Sequence, residues 1–275
     1  MIEPRRIGRF LATDSLGYVQ PDVAIDLIGS VWSPLVDFVV GALMKRNGVR
    51  AVYLRGSIPR GLAIENFSDA DFIYFSDTDF ERADSIVEET AKANFPIVSE
   101  LKLFRLDRAI FDKIHHPQRR PYFHMLIKTQ SLLLAGDDIA KHIEPFKIGP
   151  EMVSHVFALE NEFAKSQQWL LNLPASIPNE QKNSIEPSVR RWISKRIVRS
   201  GFEVTMNRTD RFTRDLYLCY EQFLMFYPEH AKQMYQVLVN CLNGDRSAAK
   251  YGELVQFLTK EGLRLLADKN DTVRR

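Results

Sequence analysis

Two aspartates separated by a single residue, Asp69 and Asp71, have the chemistry and the spacing that metal-assisted phosphate transfer needs. The apolar stretch around them, ADFIYF, predicts a β-strand, and residues two apart in a strand share a face. Two neighbouring carboxylates repel each other unless a positive charge lies between them. Because hard oxygen ligands suit Mg²⁺ or Mn²⁺, we predict that Asp69 and Asp71 hold a divalent cation.

The turn that precedes these aspartates has the composition of a phosphate-binding loop. Gly56 and Gly61 would let the backbone approach a phosphate closely, because glycine has no side chain. Ser57 and Arg60 are hydrogen-bond donors for phosphate oxygens. The apolar residues 51–54 predict a strand before the turn, so a single strand–turn–strand stretch supplies both a metal site and a phosphate cradle.

Three short motifs follow one another between residues 56 and 71: Gly56-Ser57, Arg60-Gly61 and Ser68-Asp69-x-Asp71. Their order and spacing resemble the signature of the polymerase-beta-like nucleotidyltransferase superfamily, and most of all its minimal and aminoglycoside-type members. The resemblance implies an α+β protein. Its N-terminal nucleotidyltransferase fold would be a small mixed sheet flanked by helices, followed by a C-terminal all-α helical bundle. The resemblance also implies that the residues of the three motifs bind a nucleotide, Ser68 included.

A third carboxylate is expected after the aspartate pair, since in this family it comes from the following strand. Alternating apolar residues between 97 and 103 predict that strand, with Glu100 and Lys102 on its other face. A carboxylate in such a strand is costly to bury without a partner. Glu100 is therefore our candidate for a third metal ligand, a catalytic base, or both. Asp107 is the alternative, although it follows the end of the apolar alternation.

The length of 275 residues predicts two domains, and the composition changes to helical patterns near Gly149. We place the nucleotidyltransferase domain at residues 1–147 and a helical domain that closes over substrate and nucleotide at 148–275. No apolar run approaches the roughly 20 residues that span a bilayer, and no signal-peptide core is evident at the N-terminus. With only two cysteines, both in apolar contexts, the chain is expected to be cytoplasmic and to have no membrane partner.

Helical periodicity locates the elements that must position these residues. In the N-terminal part it predicts helices at 33–45, 78–94 and 122–134, and an exposed loop around His115-His116. In the C-terminal part it predicts helices at 150–171, 187–206, 213–227, 228–242 and 247–266. The tyrosines at 217 and 220 are expected in the core, with base stacking as the alternative.

One predicted helix carries a basic stripe. Arg191, Lys195 and Arg199 recur every four residues, and no acidic residue lies between positions 188 and 202. Like charges in one row repel each other, so the stripe is expected to meet an anion. In related nucleotidyltransferases the helical domain supplies a basic residue to the triphosphate, and the resemblance points to Lys195.

The predicted function is metal-dependent transfer of a nucleoside monophosphate, AMP if ATP is the donor, to an acceptor hydroxyl with release of pyrophosphate. Mg²⁺ or Mn²⁺ and a nucleoside triphosphate are the expected cofactor and partner. The sequence does not distinguish between a small molecule, an RNA end and a protein hydroxyl as the acceptor. The positive charge of the basic stripe argues against a polycationic antibiotic. The alternative is a non-catalytic nucleotide-binding or toxin–antitoxin-type module on the same fold.

Overall fold

The computed structural model describes residues 2–107, 122–149, 152–153, 155–174, 176–245 and 250–273. The chain forms two compact units. A sheet unit comprises Leu11–Lys147, and a helical unit comprises Met1–Phe10 together with Ile148–Arg275. The predicted α+β class is confirmed. The first ten residues, which the sequence analysis grouped with the sheet, pack with the helices instead.

Seven helices and strands make up the described part of the sheet unit: α1 (Ser33–Met44), β1 (Val49–Arg55), β2 (Ala70–Ser76), α2 (Glu81–Asn94), β3 (Leu101–Leu106), α3 (Tyr122–Gln130) and β4 (Ser131–Gly136). The four strands form one sheet in the order β3-β2-β1-β4. Strand β1 pairs antiparallel with both β2 and β4, whereas β2 and β3 are parallel. The sheet is therefore mixed, as predicted.

The core of this unit lies between one face of the sheet and helices α1 and α2. It contains alternate residues of the central strands, such as Leu54, Phe72 and Tyr74, together with Leu35 and Val39 of α1. Because side chains alternate along a strand, the residues between these core positions point to the opposite face. Asp71 is one of them, so it lies on the face that α1 and α2 leave uncovered.

Strand β4 corrects the predicted helix at 122–134. The helix α3 ends at Gln130, and the sequence SLLLAG at 131–136 pairs with β1 instead. A short apolar run has no periodicity that separates a strand from a buried helix, so pairing with β1 decides its conformation. Gly136 ends the strand with φ +85°, and a Cβ there would lie 2.0 Å from the carbonyl oxygen of Arg50. Only glycine fits at this position.

The described residues of the helical unit form five helices: α4 (Leu159–Leu171), α5 (Asn179–Glu203), α6 (Leu216–Phe226), α7 (Ala231–Asn243) and α8 (Gly252–Val273). Helices α4 and α5 differ most from the prediction. The first begins at Leu159 rather than at 150, and the second begins eight residues before Pro187, which lies inside it. None of the helices among the described residues combines the length and apolar character needed to cross a membrane.

The N-terminal segment joins the helical unit through polar contacts. The side chain of Arg6 donates to Glu221 at 3.0 Å, and the backbone N–H of Arg9 donates to the carboxylate of Asp215 at 2.8 Å. Asn243 of α7 bonds both the N–H and the carbonyl of Ile2. These contacts link positions more than 200 residues apart, which is why local sequence patterns placed the segment elsewhere.

A buried carboxylate, Glu203, secures the turn that leads into α4. Its oxygens accept the backbone N–H groups of His155 and Val156 at 2.8 to 3.0 Å. His155 is buried as well, and its Nδ1 lies 3.1 Å from a guanidinium nitrogen of Arg196. Burial, followed by the charges of nearby arginines, lowers the pKa of His155 well below its ordinary value near 6.5. The folded protein therefore keeps this imidazole neutral.

Because His155 is neutral in the folded protein, the free energy of unfolding depends on pH in the acidic range. Below about pH 6.5 the unfolded chain binds a proton at this residue that the folded chain does not, so unfolding is favoured as the pH falls. The loss is at most about 1.4 kcal/mol per pH unit. We expect His155→Gln to reduce the fall in urea-measured unfolding free energy between about pH 7 and pH 5. The same substitution at exposed His142 serves as the control, and identical slopes for the His155 variant and the wild type would contradict the assignment.

Candidate active site

The pairing of β1 with β2 brings the glycine turn and the aspartates together. Arg55, the last residue of β1, is the register partner of Asp71 on β2. Gly56 and Ser57 follow Arg55 directly, so the turn begins beside the carboxylate of the neighbouring strand. The two parts that the sequence predicted as cradle and metal site therefore lie at the same end of two adjacent strands.

The turn itself has an open backbone. Gly56 has φ +93°, and apart from Gly56 and its two neighbours in the chain no residue has an atom within 4 Å of the place where a Cβ on Gly56 would be. Ile58–Arg60 form a single 3-10 turn that Gly61 closes in the left-handed conformation, with φ +68°. The carbonyl of Ser57 accepts the N–H groups of Arg60 and Leu62, at 3.3 and 2.9 Å. A side chain at Gly56 would strain the backbone and fill the open space, so both glycines are required by conformation.

Asp71 forms an ion pair that the sequence analysis did not anticipate. Nη2 of Arg55 lies 2.7 Å from Oδ2 of Asp71, and the two side chains are only 20% and 14% exposed. The Arg55 guanidinium also lies 5.2 Å from the centre of the Phe104 ring on β3. It thus reaches across β2 from β1 towards β3. The available signal was an arginine at the end of an apolar strand, immediately before Gly56-Ser57.

Asp69 lies just before β2, and its backbone neighbours pair with the segment that carries Glu100. Ser99 donates to the carbonyl of Ser68 at 3.0 Å, and Ala70 donates to the carbonyl of Glu100 at 2.8 Å. The Glu100 carboxylate is about half exposed and lies 3.2 Å from Nζ of Lys102. Backbone pairing therefore brings Glu100 alongside Asp69, with a lysine as its present partner.

Asp107, the alternative third carboxylate, follows the far end of β3. Because β2 and β3 run parallel, it is displaced from Asp71 by roughly 16 Å along the strands. Its carboxylate lies 3.6 Å from Nη1 of Arg105. The geometry of the sheet therefore favours Glu100 over Asp107.

The carboxylates of this site suit a divalent cation that is also coordinated by phosphate. Within the described residues, no three His, Cys, Asp or Glu side chains are grouped so that they could hold a metal ion by themselves. Mg²⁺ prefers one or two carboxylates plus substrate phosphates and water to an all-protein cage. Asp69 and Asp71 offer such a pair, so the residues fit Mg²⁺ in the company of a nucleotide.

Comparison with known proteins agrees with this geometry. Residues 39–128 match the family model described as "Nucleotidyltransferase domain". This stretch of the chain is a nucleotidyltransferase domain. The resemblance to polymerase-beta-like nucleotidyltransferases, inferred from the three motifs, is confirmed. A search of curated protein sequences found no match.

Similarity in fold to a known structure extends beyond this domain match. The crystal structure of spectinomycin adenyltransferase AAD(9) from Enterococcus faecialis, with ATP and spectinomycin, is similar with a TM-score of 0.50. The similarity covers 84% of this chain and 98% of that chain at 11% sequence identity. At this identity the likeness concerns the fold, which includes helices that follow the nucleotidyltransferase domain.

Two residues predicted to bind nucleotide have partners within the sheet unit. Nε of Arg60 lies 2.6 Å from Oδ2 of Asp22, and both side chains are about nine-tenths buried. The hydroxyl of Ser68 accepts the N–H of Ile64 at 2.8 Å. Both residues therefore hold the shape of the loop between β1 and β2. Asp22 lies 38 positions before Arg60, and no local pattern in the sequence linked them.

Lys195 lies on α5, in the helical unit. Its basic neighbours have acidic partners from outside residues 188–202: Arg190 pairs with Glu186 at 2.5 Å, and Arg196 pairs with Glu162 at 3.0 Å. Among the residues that the structure describes, Lys195 makes no ion pair and is partly exposed. Arg191 donates to the Ser188 hydroxyl at 2.9 Å and Arg199 to the carbonyl of Arg214 at 3.3 Å, so Lys195 is not distinguished from Arg191 by an acidic partner.

The predictions for the histidine pair and for the two tyrosines have different outcomes. The loop with His115-His116 falls outside the residues described by the structure. Tyr217 and Tyr220 are half-buried rather than fully buried, and their rings pack edge-on at 6.1 Å. Tyr220 also contacts the exposed Tyr235 at 5.7 Å between ring centres.

Proposed function

We propose that the chain is a magnesium-dependent nucleotidyltransferase that moves AMP from ATP to an acceptor hydroxyl and releases pyrophosphate. The nucleotidyltransferase domain supports transfer of a nucleoside monophosphate. The structure of similar fold contains ATP, which supports ATP as the donor. The single observation that carries the proposal is the position of Asp71 beside the open Gly56 turn, because it joins a carboxylate ligand to a phosphate cradle.

In this proposal each group of the chain has a distinct task. Backbone N–H groups around Gly56 and Ser57 hold the phosphates in line with the attacking oxygen. Asp69 and Asp71 would hold Mg²⁺, and the bound cation would supply electrostatic stabilisation of the charge on the phosphate oxygens. Glu100 orients the acceptor hydroxyl and takes its proton, after leaving Lys102. The acceptor oxygen bonds to the α-phosphorus, and the bond to the bridging oxygen breaks as pyrophosphate leaves.

We assign the transfer chemistry to the sheet unit, Leu11–Lys147, rather than to all of residues 1–147, and closure over the substrates to residues 148–275. Lys195 is proposed to neutralise part of the triphosphate charge, since its ammonium is uncommitted among the described residues. Arg60 is proposed to act through the loop rather than by direct contact, because Asp22 holds it. The acceptor is a small molecule, an RNA end or a protein hydroxyl.

A non-catalytic nucleotide-binding module is the second candidate, and a specific observation favours it. Asp71 and Glu100 each have a basic partner, Arg55 and Lys102, respectively. A site whose carboxylates stay paired in this way would bind a nucleotide without promoting transfer. The two candidates differ in a measurable respect, namely whether the α-phosphate becomes attached to an acceptor.

The test is incubation of the protein with Mg²⁺ and ATP labelled on the α-phosphate, together with a cell lysate separated into RNA, protein and small-molecule fractions. We expect stable label in one fraction, and that fraction identifies the class of acceptor. ATP labelled on the γ-phosphate is the control, because label from it would indicate phosphate transfer instead. Calorimetric binding of ATP without label in any fraction would favour the binding module.

A further inference from the structure

The side chain of Arg55 lies directly against the carboxylate of Asp71. Its guanidinium is 2.7 Å from the carboxylate, and the Phe104 ring supports it at 5.2 Å by a cation–π contact. Four-fifths of the arginine side chain is buried, so solvent screens its charge less than that of a surface arginine. Any cation that binds Asp71 must therefore meet a fixed positive charge at close range.

We infer that Arg55 competes with the divalent cation for Asp71, and that the triphosphate relieves this competition. The inference rests on the proposed function, because it assumes that metal and nucleotide meet at Asp71. Arg55 immediately precedes Gly56 in the chain, so a change of side-chain rotamer would bring its guanidinium from Asp71 to the proposed phosphate cradle. Phosphate oxygens are strong acceptors for a planar guanidinium. The nucleotide thus offers Arg55 a new partner at the moment when the cation takes the carboxylate.

This exchange of partners couples the two ligands. Without nucleotide the cation binds weakly, because it must displace Arg55 from Asp71. With nucleotide it binds tightly, and by reciprocity the cation strengthens nucleotide binding by the same factor. The exchange of partners therefore keeps the affinity of the nucleotide-free protein for the metal ion low. Lys102, the register partner of Asp71 on β3, does not replace Arg55 in this role because it pairs with the half-exposed Glu100.

The test measures the Mn²⁺ dissociation constant of the full chain by electron paramagnetic resonance, with and without α,β-methylene ATP. We expect Arg55→Gln to increase the Mn²⁺ affinity of the nucleotide-free protein roughly tenfold, because one charge-assisted contact is removed. The ratio of the affinities with and without nucleotide should decrease correspondingly. Arg50→Gln on the same strand is the matched control, since Arg50 forms an exposed ion pair with Asp137 and should leave both constants unchanged.

Asp71→Asn separates failure of this inference from failure of the proposed function. If Asp71→Asn weakens Mn²⁺ binding but Arg55→Gln leaves the nucleotide-free affinity unchanged, the competition is refuted and the metal site stands. If Asp71→Asn leaves Mn²⁺ binding unchanged, the proposed metal site fails as well. Should Arg55→Gln not fold, Arg55→Lys, which keeps the charge on a more flexible side chain without the planar guanidinium, is expected to give an increase of about threefold. No increase in that variant would also overturn the inference.

Discussion

Asp71→Asn is expected to reduce AMP transfer at least about a thousandfold, because it removes a carboxylate that the proposed mechanism assigns to the metal beside the phosphate cradle. The amide keeps the size of the side chain and an acceptor oxygen for Arg55, but it is a poor ligand for Mg²⁺ beside a second carboxylate. The measurement is the initial rate of acceptor labelling at saturating ATP. Asp69→Asn should have an effect of similar size.

The fold of the Asp71→Asn variant should survive. From the sequence, Asp69 and Asp71 are expected to repel each other unless a positive charge lies between them, and the structure shows Arg55 paired with Asp71. We therefore expect a loss of about 1–2 kcal/mol in the free energy of unfolding, because a charged contact becomes a neutral hydrogen bond. Asp137→Asn breaks the exposed Arg50 pair and is the control, with normal transfer expected. Full activity in Asp71→Asn would remove the proposed mechanism.

Glu203→Gln is expected to cause the largest loss of stability, about 2–3 kcal/mol, without touching the nucleotidyltransferase domain. The carboxylate is 4% exposed and accepts backbone N–H groups from two successive residues, His155 and Val156. An amide presents one oxygen and one NH₂ group. Its NH₂ group is a donor, so it cannot accept a hydrogen bond from the backbone N–H groups that the second carboxylate oxygen accepts in the wild type. Loss of the charge would also remove a counter-charge to Arg199 and Arg214, which line the same small cavity.

The measurement is urea-induced unfolding followed by circular dichroism, which reports mainly on the helices. Glu186→Gln is a matched control on the same helix, because Glu186 pairs with Arg190 one turn away and nearer to solvent. Its removal should cost only a few tenths of a kcal/mol. Equal effects of the two substitutions would show that the three hydrogen bonds to Glu203 contribute little net stability.

Local chemistry in the sequence was sufficient to find the candidate site. The glycines at 56 and 61 are needed for a backbone that only glycine adopts without strain, and Asp71 interrupts an apolar strand where only a functional or paired carboxylate is tolerated. Such signals depend on a few neighbouring residues, and they predicted the turn, the strands on either side of it and the nucleotidyltransferase resemblance. The helical character of the C-terminal part followed from the 3.6-residue periodicity in the same way.

Contacts between distant parts of the chain decided the rest. Residues 131–136, predicted as the end of a helix, form strand β4 because they pair with β1. Arg60 forms an ion pair with Asp22, which lies 38 positions earlier in the chain. The N-terminal segment joined the helices more than 200 residues away. The sequence alone therefore predicted the candidate residues for phosphate and metal binding, since side-chain chemistry and local backbone conformation are readable from a few neighbouring residues. Only the tertiary structure decided which charges neutralise one another. An ion pair such as Arg55–Asp71 forms because strand pairing brings the two side chains together.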